Sequence, residues 1–174
     1  MKKIYFLIGF LSCSLYTQEI RSINSDLSYI KYEGNHFLHS WDATNSNISG
    51  IIEVTDDEIS NIGVLAKVTD FKSGNSNLDS NSFRVLEALK IPNIIFKSSE
   101  IVNSSNIITV SGVISFHGIE KELSVQLNKK FDSNTISLTG KFLIYLSDFN
   151  IKRPSLLLQK INDEIEIELE LVFN

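Results

Sequence analysis

The chain of 174 residues has very little of several residue types: one cysteine, one tryptophan, one methionine, two prolines and three histidines. The one cysteine, Cys13, sits in an apolar N-terminal stretch, so the rest of the chain has no thiol for a disulfide, a thiolate metal site or a cysteine nucleophile. The fold therefore rests on packing alone. Two prolines make no proline-rich linker, and no internal repeat or low-complexity tract is present. Positive charge is also short: 16 Lys and Arg stand against 21 Asp and Glu, a formal net charge of −5, with no basic stripe to neutralise phosphates. That composition excludes nucleic acid as a partner. No apolar run reaches the roughly 18 residues a membrane-spanning helix needs.

The longest apolar stretch is N-terminal. Lys2 and Lys3 precede Ile4 to Leu15, the order of a secretory signal, with cleavage expected near Thr17-Gln18. Residues 1–17 are read as a signal peptide and 18–174 as one domain, which places the mature chain in the periplasm or outside the cell. Phe10-Leu11-Ser12-Cys13 loosely resembles a bacterial lipobox, but the apolar region before it is very short, so lipid attachment through Cys13 is the weaker reading.

What the chain does have is alternation. Ile165, Ile167, Leu169, Leu171 and Phe173 alternate with Glu164, Glu166, Glu168 and Glu170, the period of a strand with one dry and one wet face. The same period runs through Ile136, Leu138, Gly140, Phe142, Ile144 and Leu146, through Leu123, Val125 and Leu127, and through Val110, Gly112, Ile114 and Phe116. His117-Gly118 and Asp132-Ser133-Asn134 carry turn residues between them. With further strands at 29–37, 48–54, 62–71 and 94–101, about eight strands are expected. That is enough to close an antiparallel barrel, with a sandwich as the alternative. One short helix is expected over 82–89, capped by Asp79 or Ser80, with Phe83, Leu86 and Leu89 on one face and Pro92 blocking its extension.

Groups suited to catalysis are sparse. Gly74-Asn75-Ser76-Asn77 begins like a nucleophile elbow, but Leu78 occupies the second glycine's place. His36, His39 and His117 could serve a metal only if the fold gathered them, and an extended strand would put His36 and His39 on opposite faces. No catalytic residue, metal ligand or cofactor is assigned. The acidic alternation at 164–170 reads as a solvated face. The aromatics Trp41, Phe37, Phe96, Phe116 and Phe142 are ordinary core residues taken singly. Taken together they suit the wall of an eight-stranded barrel, whose interior either fills with side chains or holds one small ligand.

Several landmarks occur in a characteristic order: His39-Ser40-Trp41, Ile48-Ser49-Gly50, Asp70-Phe71-Lys72-Ser73-Gly74-Asn75-Ser76-Asn77, and Leu86-Glu87-Ala88-Leu89-Lys90-Ile91-Pro92 before Ile95-Phe96-Lys97-Ser98-Ser99. Val110-Ser111-Gly112-Val113-Ile114-Ser115-Phe116-His117-Gly118 and Asp148-Phe149-Asn150-Ile151 with Pro154-Ser155-Leu156 follow. In these the chain resembles the YceI-like proteins over most of its length. The resemblance implies an all-β fold, an eight-stranded antiparallel lipocalin-like barrel with one short helix near one end, exported in bacteria. In some members the barrel carries a polyisoprenoid or another long amphiphile, and no reaction is implied. Glu120 departs from the pattern, standing where the family often has threonine.

The expected partner is accordingly a long-chain lipid, of polyisoprenoid or isoprenoid quinone type. Trp41, Phe96, Phe116 and Phe142 are candidates for its tail, Asp70, Asn77, Arg84 and His117 for its head group, and Phe37 and His39 are further candidate ligand contacts. Transient membrane contact and a homodimer stay open. So do two rival functions: a structural or stress-related envelope protein with a filled barrel and no ligand, and a small hydrolase or isomerase built on His39 and His117.

Overall fold

A computed structural model describes residues 18–56, 58–156 and 158–174. The expected signal segment and Cys13 lie outside the described residues. Ten strands form one antiparallel sheet: β1 (Gln18–Ser22), β2 (Tyr29–His36), β3 (His39–Asn45), β4 (Ile48–Thr55), β5 (Glu58–Lys67), β6 (Asn93–Asn103), β7 (Ile107–Phe116), β8 (Ile119–Phe131), β9 (Ile136–Tyr145) and β12 (Glu164–Phe173). A two-stranded hairpin, β10 (Ser155–Leu156) and β11 (Gln159–Lys160), stands apart, and one helix, α1 (Ser76–Val85), lies between β5 and β6. Neighbours in the sheet run β1-β4-β5-β6-β7-β8-β9-β12-β2-β3.

The sheet curls on itself. Ser22, Ile23 and Asn24 bridge its two halves: Ile23 N–H donates to Gly50 O at 2.9 Å, and Asn24 N–H donates to Val172 O at 2.8 Å. At the other end of the order, β3 bends into β4 through Ser46 and Asn47, leaving β2 as its neighbour and taking β5. Asn45, with none of its surface exposed, makes that bend. Its amide donates to Lys67 O at 3.2 Å, its carbonyl accepts from Asn47 N–H at 2.7 Å, and the adjacent Thr44 exchanges two backbone bonds with Lys72. The expected eight strands become ten because β3, which precedes the bend and was not expected, and β1, which adds at an edge, join them.

Alternation sets the inward face. At one end Ile52, Ile59, Ile108, Ile136, Leu138 and Phe173 are sealed from solvent and fill the interior. A second cluster around Val68, Phe116, Leu146, Phe149 and Ile165 lies toward the other end, beneath the β5–β6 and β9–β12 connections. Gly112 is a packing requirement. The β6 register shifts between Ser98 and Glu100 opposite it, and a Cβ there would collide with the carbonyl of Lys97 and lie 2.8 Å from Ser98 Cα. The β7–β8 turn uses left-handed backbone at both His117 (φ 51°) and Gly118 (φ 76°), as a two-residue antiparallel turn requires.

The helix departs from the expectation over 82–89. It starts at Ser76 because Asn75 caps it, its Oδ1 accepting from Asn77 N–H at 3.0 Å and Leu78 N–H at 3.2 Å. Asp79, expected as a cap, sits in the first turn and reaches back to accept from Ser73 N–H at 2.9 Å and Ser73 Oγ at 2.6 Å. The Ser and Asn residues from Asn75 to Ser82 thus form the cap and first turns of the helix. The helix ends before Leu89: Ala88 N–H donates to Phe83 O and Glu87 N–H to Arg84 O, with Glu87 left-handed at φ 48°. Leu89 is therefore off the helix and 99% exposed. In the strands, the 62–71 expectation corrects to β5 followed by a 3-10 turn over Val68–Asp70.

Three outcomes follow for stability in urea. Phe173→Ala should cost about 3–5 kcal/mol and Gly112→Ala about 1–3 kcal/mol, whereas Leu89→Ser should stay within about 0.5 kcal/mol of wild type. The hydrogen bonds from Ser73 hold the Asp79 carboxyl below its ordinary value of 3.8. Its contribution is then complete above that value and disappears as pH falls through the lowered one. Asp79→Asn should lie below wild type at neutral pH by a gap that closes only in strong acid, read from urea midpoints across pH.

Candidate functional site: an apolar cavity inside the sheet

Between the two clusters the curled sheet encloses a cavity of about 580 Å³. Its wall comes from the same inward parity on successive strands: Val64 and Ala66 on β5, Ile94 and Phe96 on β6, Ile114 and Phe116 on β7, Leu123 and Val125 on β8, Phe142 and Ile144 on β9, Ile167 and Leu169 on β12. Leu78, Phe83 and Leu86 of the α1 segment cover it from the β5–β6 connection. The polar lining is confined to Tyr32, His36, His39, Trp41, Asn81, Ser82, Arg84 and Ser155. Most of these lie on or beside the β2–β3 turn, α1 and the β10–β11 hairpin.

Trp41 reaches the wall because its β2 partner is glycine. Gly34 pairs with Trp41 across the hairpin, and the indole lies over Gly34 where any Cβ would collide with the ring. His36 and His39 do not sit on opposite faces of one strand, as extended spacing suggested. The chain reverses at Phe37 and Leu38, so the two histidines pair across the hairpin with ring centroids 6.0 Å apart. His36 is buried, and its Nε2 lies 3.3 Å from Gln159 O, to which it donates, while Nδ1 is enclosed without a partner. Arg84 donates to Asn81 Oδ1 at 2.6 Å and has no ion pair among the described residues. The Tyr32 hydroxyl lies 3.5 Å from Ser82 Oγ, and burial pushes its pKa up, which keeps it protonated.

Six of the ten residues singled out by sequence line this cavity: His39, Trp41, Arg84, Phe96, Phe116 and Phe142. The other four do not. Phe37 is turned outward in the β2–β3 turn, 59% exposed, because the turn ends the inward parity of β2. Asp70 accepts from Asn47 Nδ2 at 2.7 Å and braces the strand bend. Asn77 is exposed in the first turn of α1, its N–H committed to the Asn75 cap. His117 lies under the end of α1: Nδ1 donates to Phe149 O at 2.9 Å and Nε2 is 3.8 Å from Glu87. His39 and His117 are thus on different features, one on the cavity wall and one off it. Among the described residues, no group of three or more His, Cys, Asp or Glu is placed to hold a metal.

Tyr32, Val64, Leu123 and Ile144 were missed as lining residues. Parity within each strand would have found the aliphatics, since Ile144 shares the face of Phe142 and Leu123 that of Val125. Choosing aromatics passed over them.

Comparison with known proteins gives the same architecture. No curated protein sequence matches the chain. Among solved structures, Burkholderia cenocepacia BcnA superposes with a TM-score of 0.78 at 17% identity, covering 86% of this chain and 98% of its own. A polyisoprenoid binding domain from Saccharophagus degradans, implicated in plant cell wall breakdown, superposes with a TM-score of 0.74 at 13% identity over 88% and 97%. The Campylobacter jejuni YCEI protein gives 0.58 at 16% identity over 97% and 91%. These likenesses show a shared fold. The model of the YceI-like domain matches residues 22–173, so nearly the whole described chain is that domain, and the protein belongs to the YceI-like family.

Proposed function

We propose that this is an exported lipid-binding protein that holds a polyisoprenoid, an isoprenoid quinone or a similar long-chain amphiphile inside the sheet, for carriage or storage. The observation that carries this reading is the cavity of about 580 Å³ walled almost wholly by aliphatic and aromatic side chains. Each methylene that a tail moves from water into such a wall contributes roughly 0.8 kcal/mol, so a long chain binds tightly with few polar contacts. The resemblance to a polyisoprenoid binding domain supports the same ligand class.

The tail points toward the filled end of the interior and the head group lies with His36, His39, Asn81, Ser82 and Arg84. There, an unpaired guanidinium suits an anionic or strongly polar group, and the free lone pair of His36 Nδ1 suits a donor. A filled barrel without a ligand does not match an interior with this much empty volume. A histidine-centred enzyme is disfavoured because His117 is off the cavity wall. Residues 1–17 act as the export signal, and the lysine pair ahead of their apolar run supports that role.

Organic extraction of the purified protein, with mass spectrometry of the extract, should recover one long-chain amphiphile per chain. Val64→Trp fills part of the cavity from a half-buried position. It should lower bound lipid by at least about tenfold while changing stability by less than about 2 kcal/mol. A wild-type protein that yields no long-chain lipid and takes up none from added polyisoprenol overturns the reading.

A further inference from the structure

The antiparallel order puts the β2–β3 turn, the β5–β6 connection and the β9–β12 connection at one end of the sheet, the end that holds most of the polar lining of the cavity. Large apolar side chains project from all three. Phe37 and Leu38 of the β2–β3 turn are 59% and 52% exposed, Leu89 is 99% exposed, and Leu158 at the tip of the β10–β11 hairpin is wholly exposed. The hairpin and the turn form one rim. His36 Nε2 donates to Gln159 O, Asn162 N–H donates to Asn35 O at 2.8 Å, and Pro154, Ser155 and Ile161 line the cavity beside His36.

Single exposed leucines are ordinary on protein surfaces. Here they share one rim, and Leu158 occupies left-handed backbone (φ 69°), where glycine or asparagine is less strained than leucine. The charge around the β10–β11 hairpin runs against the rest of the chain. Between Asp148 and Asp163 there is no acidic residue, while Lys152, Arg153 and Lys160 bracket the hairpin tip, on a chain of net charge −5. Arg153 is partly engaged by Asp163 at 3.6 Å, but Lys152 and Lys160 have no ion pair among the described residues. An apolar tip between cations is the pattern that inserts side chains at the acyl boundary while lysines meet lipid phosphates.

We infer that this rim is a docking surface for an anionic lipid bilayer, placed so that a ligand passes between membrane and cavity without crossing open water. What passes rests on the lipid-binding reading; the docking itself is tested apart from it. The full chain, wild type and variants, is floated with vesicles of phosphatidylcholine alone or with about 30% phosphatidylglycerol. Residues 1–17 are common to every variant, so differences report the rim. As a second readout, quenching of Trp41, the chain's one tryptophan and a cavity-wall residue, by brominated phosphatidylglycerol reports lipid at the rim or in the cavity, so flotation alone decides docking.

Wild type should favour the anionic vesicles. Phe37→Ser with Leu158→Ser should weaken partition and Trp41 quenching about tenfold, and Lys152→Ser with Lys160→Ser should do so about tenfold on anionic vesicles only. Docking is overturned if wild type floats alike with both vesicles, or if either double variant retains wild-type partition on anionic vesicles. Lipid extraction from the same samples separates the two readings. Rim-dependent docking by a chain that carries no long-chain lipid refutes the proposed ligand and leaves the docking surface standing. A lipid-loaded chain whose docking ignores both double variants refutes the surface alone.

Discussion

The side-chain amide of Asn45 is buried where one strand must serve two neighbours, and the closure of the sheet turns on it. A strand that bends away from β2 toward β5 interrupts its ladder and strands backbone groups inside the protein, which is costly unless they find partners. Asn45 supplies them: it takes the Lys67 carbonyl with its amide and the Asn47 N–H with its carbonyl, leaving neither end of the side chain idle. Asn47 passes the link to Asp70, and Thr44 bonds to Lys72, so the bend, the end of β5 and the approach to α1 are one hydrogen-bonded unit. The helix that covers the cavity is positioned by that unit.

The interior has a sealed end and an open one. Phe173, Ile136, Leu138 and Ile108 converge at the sealed end with no exposed surface, and Leu138 borders the cavity. That end is closed with hydrogen bonds as well, since Lys129 Nζ donates to Asn103 Oδ1 at 3.0 Å while Asn103 Nδ2 donates to Ile59 O at 2.8 Å. Further along, Val64, Ala66, Leu123 and Ile144 face each other across the curl, and side chains of this size do not span it. The cavity needs no special motif. It is what remains when a curled sheet of this width is lined by aliphatic and aromatic side chains that do not meet across it.

How much of this was readable beforehand depended on the range of the interaction. The alternation of β7, β8, β9 and β12 is local, and it gave both the strands and their inward face. Trp41, Phe96, Phe116 and Phe142 then fell on the cavity wall because parity carried them there. Phe37 did not, because a turn one residue after β2 reverses the parity, and a two-residue reversal at Phe37-Leu38 carries no glycine to announce it. Asp70, Asn77 and His117 were chosen for polarity near the expected mouth. Asp70 and His117 instead bond to Asn47 and Phe149, and Asn77 is exposed in the first turn of α1 with its backbone N–H on the Asn75 cap. Short β1 and β3 and the early start of α1 are set by pairing and capping partners that periodicity does not encode.

The place of β12 in the sheet has a consequence for how the molecule comes into being. It is the last strand in chain order, yet it lies between β9 and β2, and its end also receives Asn24. β4 with β5, and β6 through β9, pair between sequence neighbours, whereas β2 lacks its second neighbour until β12 is in place. Until then the sheet is open and part of its apolar face is uncovered. Completion is decided by one late, long-range pairing event rather than by the local hairpins.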